Sequence, residues 1–199
     1  MKKIAILQSN YIPWKGYFSL INYVDEFVIF DDVQFTKRDW RNRNIIKTSN
    51  GLIWLTIPVI VKGKFNQKIN QTIIKDNFWQ EKHLKAIRLN YIKSEYFKSI
   101  YKLLEPLYKE NYRLLSDCNL KFIKLINKTL NIKTNIYNSS DFVLETDKNK
   151  RLVSIVNQLK GDIYVTGPSA KSYLDIKLFN KNNINVEWFN YGSSEHKQL

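Results

Sequence analysis

The chain has 199 residues, a formal charge of +14, one cysteine and two histidines. A single cysteine excludes an intramolecular disulfide, and two histidines far apart in sequence argue against a transition-metal site. The charge comes from 26 Lys and 6 Arg beside 22 Asn with no long basic run, so it reads as solvated helix faces and a diffuse field for anionic substrates, and argues against nucleic acid as the partner. The apolar run after Lys3 is too short for the core of a signal peptide, and no stretch approaches the ~20 apolar residues of a membrane span. The expectation is a cytoplasmic protein with one domain over residues 1–199.

Residues 3–8, KIAILQ, read as a buried strand. A polar loop follows at 9–14, with Pro13 setting its exit. Residues 15–24 fit a helix that turns Phe18, Ile21 and Tyr23–Val24 toward a sheet, and EFVIF at 26–30 is a second buried strand. Two continuous apolar strands around a helix specify a parallel βαβ unit. The stretch NIIKTSNGLIWLTIPV is a hairpin around Asn50-Gly51, the pair that suits a type I′ turn, and Pro58 ends or edges its second strand. Residues 62–68 are a polar loop.

From 77 to 130 the apolar period becomes helical. Three helices are expected, with Ser94 and Ser116 as N-caps and Pro106 at a kink or boundary. Cys118 lies on the third and reads as a buried structural thiol. The α/β pattern then resumes: a short strand in TNIYNSSDF, a helix in TDKNKRLVSIVNQLKG closing on Gly161, a strand entering the loop of DIYVTGPSAKSYLD, a short helix in IKLFNKNN and a last strand in INVEWFNY. The fold class is therefore α/β, mainly a parallel sheet of the nucleotidyltransferase or Rossmann-like kind, with a β-hairpin and a helical insertion over 70–132. Strands run into polar loops after Gln8, Phe30 and Val165. In a parallel sheet these carboxyl ends share the edge where ligands bind.

Each polar group near that edge has two readings. Gln8 and Asn10 orient a ligand or cap their loop. Trp14 and Tyr17, around Gly16, stack a sugar or base or plug the sheet edge. Asp31 and Asp32 follow a buried strand, and one of them serves as a general base for an attacking amine, holds Mg²⁺, or caps a turn. As neighbours on an extended segment their side chains point to opposite faces, so they do not form one bidentate pair. The segment KRDWRNRN places Lys37, Arg38, Arg41 and Arg43 around Trp40. Arg43, flanked by Asn42 and Asn44, is the candidate for an anionic substrate group; the alternative is a basic edge strand. In TGPSAKSYLD, Gly167 permits close backbone approach, while Ser169 and Lys171 are candidates for phosphate contact without the full spacing of a P-loop.

The block QSNYIPWKGYFSLINYVDEFVIFDDVQFTKRDWRNRNIIKTSNGLIWLTIPV, with GPSAKSYLDIKLFNKNNINVEWFNY and W…KHLKAIRLNYIKSEYF, resembles the WbqC-like proteins over nearly the whole chain. The residues that match are Gln8, Asn10, Tyr11, Pro13, Trp14, Gly16, Tyr17, Asp31, Asp32, Val33, Gln34, Lys37, Trp40, Asn42, Arg43, Asn44 and Gly51. Ser9 departs from a proline, and the ending SSEHKQL departs from the family's longer tail, which suggests a missing C-terminal element. The resemblance implies an enzyme of O-antigen or other surface-polysaccharide biosynthesis. It would form an amide by transferring glycine or another acyl or aminoacyl group to a nucleotide-linked amino sugar. Asp31, Asp32 and Lys37 are then the catalytic candidates. Gln8, Asn10, Tyr11, Trp14, Gly16, Tyr17, Gln34, Trp40, Asn42, Arg43, Asn44, Gly167, Ser169 and Lys171 are the substrate-binding ones. ATP or Mg²⁺ are the cofactors left open. A weaker similarity ties the same rhythm to nucleotidyltransferases with a His-x-Gly-His motif. Here WKGY replaces that motif, and His83 and His196 lie far from it, so the alternatives are a nucleotidyltransferase-like enzyme with other chemistry or a non-catalytic scaffold.

Overall fold

A computed structural model describes residues 1–192, so the ending SSEHKQL and His196 lie outside the described residues. The chain forms two compact units. Among the described residues the first comprises Met1–Gln8, Trp14–Asp32 and 130–192; the second comprises Ser9–Pro13 and Val33–Thr129.

The first unit is built on a five-stranded parallel sheet. In chain order it holds β1 (Lys3–Leu7), α1 (Lys15–Tyr23), β2 (Glu26–Ile29), β5 (Asn135–Asn138), α5 (Lys148–Gln158), β6 (Ile163–Thr166), α6 (Ile176–Lys181) and β7 (Asn185–Trp188), with strand order β5-β2-β1-β6-β7. The register pairs Leu7 with Ile29 and Ala5 with Val165. Alternation along each strand sends side chains to both faces, and both are covered. On one face Ile4, Ile6 and Val28 meet Val153, Val156 and Phe179. On the other, Tyr17 of α1 meets the ring of Phe27 edge-on at 5.4 Å. A sheet buried on both faces explains why β1 and β2 are continuous apolar runs.

Local chemistry sets the ends. Asp147 caps α5 by accepting from the amides of Asn149 and Lys150 at 3.0 and 2.9 Å. The helix closes in a Schellman pattern: Lys160 N–H bonds the Asn157 carbonyl and Gly161 N–H the Val156 carbonyl, both at 2.9 Å. The left-handed position belongs to Lys160, at φ 53°, rather than to Gly161. Gly161 has a different task, because a Cβ there would meet Cγ1 of Ile4 at 2.4 Å. It is small so that the turn after α5 can lie against β1.

The second unit joins a hairpin, β3 (Arg43–Thr48) and β4 (Gly51–Thr56), to three helices, α2 (Phe78–Tyr91), α3 (Phe97–Tyr108) and α4 (Leu115–Thr129). Its core gathers Phe35, Leu55, Ile57, Trp79, Leu115 and Phe122. Three expectations are corrected here. The hairpin turn is not type I′: Thr48 pairs with Gly51, and of the turn residues only Gly51 takes a positive φ, 106°. Ser49 and Asn50 are thus the central pair, with Gly51 relieving the strand twist behind them. Ser116 is not an N-cap, because Leu115 already belongs to α4 and its amide donates to the Thr72 carbonyl at 2.9 Å. Ser94 does not cap α3 through its side chain; α3 starts at Phe97 behind Tyr96. Pro106 lies inside α3, two residues before its last residue Tyr108, where the helix is ending. Cys118 is fully buried, and burial pushes its thiol well above the usual range.

Candidate active site

The strand order places the candidate site on the first unit. From β1 the chain goes by α1 to β2 on one side, whereas from β6 it goes by α6 to β7 on the other. The two connections diverge between adjacent strands, and the crevice at such a divergence is where open parallel sheets bind ligands. The groups at this carboxyl edge are Gln8 after β1, Asp31 and Asp32 after β2, Ser139 after β5, and Gly167, Ser169 and Lys171 after β6.

The two aspartates differ in burial. Asp31 is 4% exposed. Asp32 is partly exposed and accepts a hydrogen bond from the Ser139 hydroxyl at 2.8 Å. Ser139 opens a single turn that ends at Asp141. The Ser139 hydroxyl thus fixes the orientation of the Asp32 carboxylate at the end of β2. Phe30 N–H bonds the Leu7 carbonyl at 2.9 Å, which extends the β1–β2 ladder up to the aspartates.

Helix α1 begins beside Gln8 without a side-chain cap, and its Tyr17 amide donates to the Trp14 carbonyl at 3.0 Å. Trp14 makes no side-chain cap, and no acidic residue lies in the first turn. The amides there carry the partial positive charge of a helix N-terminus, and Lys15 adds a full one. Gly16 is explained by Trp14, whose ring atoms would stand 2.2 Å from a Cβ at that position. The indole thus folds over the first turn, and it meets the ring of Tyr191 edge-on at 5.3 Å. Lys15 Nζ lies 5.8 Å from the centre of the same Tyr191 ring. Tyr17 is a core side chain whose hydroxyl donates to the Gln8 carbonyl at 3.2 Å, so it braces the loop from below.

After β6 the chain makes a short 3₁₀ turn over Pro168–Ser172. A Cβ on Gly167 would meet only Ser169 Oγ, at 3.9 Å, so the space above this backbone is open. Lys171 Nζ sits 5.4 Å from the Trp188 ring centre, a cation–π contact that holds the ammonium near the end of β7.

The remaining candidates belong to the second unit, where most are occupied in holding its loops. Arg41 donates to the Asn10 side chain and lies 3.8 Å from Asp39. Asn42 donates to the Ile57 carbonyl at 2.8 Å, and Asn44 donates to the carbonyls of Tyr11 and Ile12. Arg43 stacks on Trp54 at 3.9 Å and donates to the Arg38 carbonyl. Trp40 meets Trp54 at 5.3 Å, Gln34 donates to the Phe65 carbonyl at 2.7 Å, and Lys37 lies 5.3 Å over the Phe65 ring. Tyr11 is fully buried, and its hydroxyl bonds both Tyr108 and, at 2.9 Å, His83 Nδ1. Burial drives the His83 pKa down to about 4 and raises that of Tyr11.

Three participants escaped the sequence reading. Ser139 followed a short strand and looked like one of several loop serines. Asn119, buried on α4, donates to Ser9 Oγ at 3.0 Å and to the Arg41 carbonyl at 2.9 Å. An asparagine on the apolar side of a helix was the only available signal. His83 pairs with Tyr11 across 72 positions, a separation no local pattern reveals.

Among the described residues no cluster of three or more His, Cys, Asp or Glu is placed to hold a metal ion, and no helix is long and apolar enough to cross a membrane.

The first unit thus defines the chain as an α/β protein whose open parallel sheet has diverging connections at its carboxyl edge. The chain belongs to the WbqC-like protein family, whose model matches residues 8–199. It is 49% identical over 201 residues, covering 100% of this chain and 87% of the relative, to a protein of Mycobacterium tuberculosis (strain ATCC 25618 / H37Rv) described as "Uncharacterized protein Rv1507c". Among solved structures nothing matches the chain significantly.

Proposed function

We propose that the carboxyl edge of the first unit's sheet binds a nucleotide-linked amino sugar, and that the chain forms an amide on its amine during surface-polysaccharide biosynthesis. The acyl group is glycine or another acyl or aminoacyl group, delivered in activated form. The single observation that carries the reading is the divergence of the connections after β1 and β6 at this edge. The loops there carry the N-terminus of α1, Lys15 and Lys171 for anionic oxygens, open backbone at Gly167, and Asp32, which accepts from Ser139. The reaction class is what the resemblance to the WbqC-like proteins implies, and membership of that family supports it.

The chemistry asks little more of these residues. Diphosphate oxygens accept from the α1 amides and the two ammonium groups. The sugar amine attacks the activated carbonyl carbon, the new C–N bond forms, and the bond to the leaving group breaks. The proton lost by the amine passes to Asp32, which Ser139 holds in place. Trp14, exposed above the first turn, offers a ring face for the sugar or base.

A thermal-shift screen tests the binding half. UDP- and dTDP-linked amino sugars stabilise the protein, by about 2.7 kcal/mol at one hundred times Kd. The double variant Lys15→Ala/Lys171→Ala loses that shift. A response to free ATP or CTP alone moves the reading to nucleotidyl transfer, and silence across the panel overturns it.

A further inference from the structure

The second unit holds a cavity that the proposed reaction does not use. Its volume is about 340 Å³, and it opens between the hairpin and helices α2 and α3. Ile46, Leu55, Ile87 and Leu104 form its walls. Tyr96 and Ile100 line it too, yet they are 67% and 43% exposed, so they stand at its mouth. The hydroxyl of Ser94, also in the lining, is buried and has no hydrogen-bond partner among the described residues.

The surface around the mouth has an unusual composition. Ile92, Tyr96, Ile100 and Leu103 recur every three or four residues and are all exposed, with Leu89 of α2 exposed as well. Helix α3 buries only Tyr108 completely. Lysines alternate with these apolar groups: Lys93, Lys98 and Lys102. Across residues 78–109 seven basic residues stand against three acidic ones. An apolar stripe interleaved with lysines matches helices that lie in the headgroup plane of a bilayer. A second copy of the chain fits poorly, because an isologous contact would set two basic faces against each other.

We propose that this face docks on an anionic phospholipid surface. One hydrocarbon chain enters the cavity, and Lys93, Lys98 and Lys102 meet headgroup phosphates. The placement is independent of the reaction assigned to the first unit.

The test is co-sedimentation of the full chain with phosphatidylcholine vesicles, with and without phosphatidylglycerol. The protein sediments with the anionic vesicles at least about tenfold more strongly than with the neutral ones, and added salt weakens the binding. Ile100→Glu abolishes sedimentation without changing the melting temperature, since the side chain is already partly in water. In Tyr96→Trp, whose new indole sits at the mouth, emission shifts to the blue on anionic vesicles. No sedimentation on anionic vesicles overturns the proposal. So does unchanged binding of Ile100→Glu, which would leave charge alone as the attraction. A dimer in solution that Ile100→Glu dissociates, without vesicle binding, assigns the face to a second copy and overturns it too.

Discussion

The two units bury polar groups for different ends. In the first, the cluster between sheet and helices is apolar apart from Glu26, buried at the amino end of β2 and paired with Lys2 at 3.0 Å, and most other polar groups stand at the carboxyl edge, with Asp32, Lys15 and Lys171 at strand and helix ends. In the second, polar groups are drawn inside: Tyr11, His83 and Tyr108 share hydrogen bonds in the centre of the core, and Asn42, Asn44 and Asn119 tie loops to their neighbours. The same residue types that suggest chemistry in a sequence therefore hold the core together in one unit and stand at a sheet edge in the other. Burial and partner, rather than identity, separate the two.

The sharpest way to break this contrast is pH. Burial holds the folded His83 pKa at about 4, against 6.5 for an exposed ring. Between these values the unfolded chain binds the proton and the folded one does not. Stability is therefore complete above pH 6.5 and falls as pH drops toward 4, by about 3 kcal/mol in all. Thermal melts across that window, followed by Trp79 fluorescence, will show the loss, and His83→Gln will flatten it. A wild-type melting temperature independent of pH between 4 and 6.5 would place His83 in contact with water.

A smaller effect sharpens the account of the first unit. Lys160 occupies a left-handed conformation that costs a side-chain-bearing residue about 1 kcal/mol. Lys160→Gly removes that strain and will stabilise the unit by a few tenths to about 1 kcal/mol, since glycine also loses more entropy on folding. Denaturant titration measures it. A destabilised variant would mean that the lysine stem contributes more packing than its strain costs.

The parallel sheet was legible because its strands are buried on both faces, so Ile4–Leu7 and Phe27–Ile29 are unbroken apolar runs. The hairpin was legible from Asn50-Gly51, although the turn type was not, because Gly51 is read equally well as the second turn residue or as the residue after it. Helix starts failed where tertiary bonds replaced side-chain caps, as the Thr72 carbonyl does for Leu115. For the site, Asp31 and Asp32 stood out at a strand end. The partner that distinguishes them, Ser139, lies 107 positions from Asp32. Arg43 looked like an anion-binding fork because composition cannot reveal that Trp54, on the facing strand, lies beneath its guanidinium.

The central claim is that Asp32 serves the chemistry of the first unit's sheet edge. The most direct measurement is turnover of a nucleotide-linked amino sugar with an activated acyl donor, followed by mass spectrometry of the product, for the wild type and for Asp32→Asn. The wild type will add the acyl mass to the sugar, and Asp32→Asn will lose at least about a hundredfold in kcat at an unchanged melting temperature. Undiminished turnover by Asp32→Asn would contradict the account, because the amine's proton would then need no help from that carboxylate.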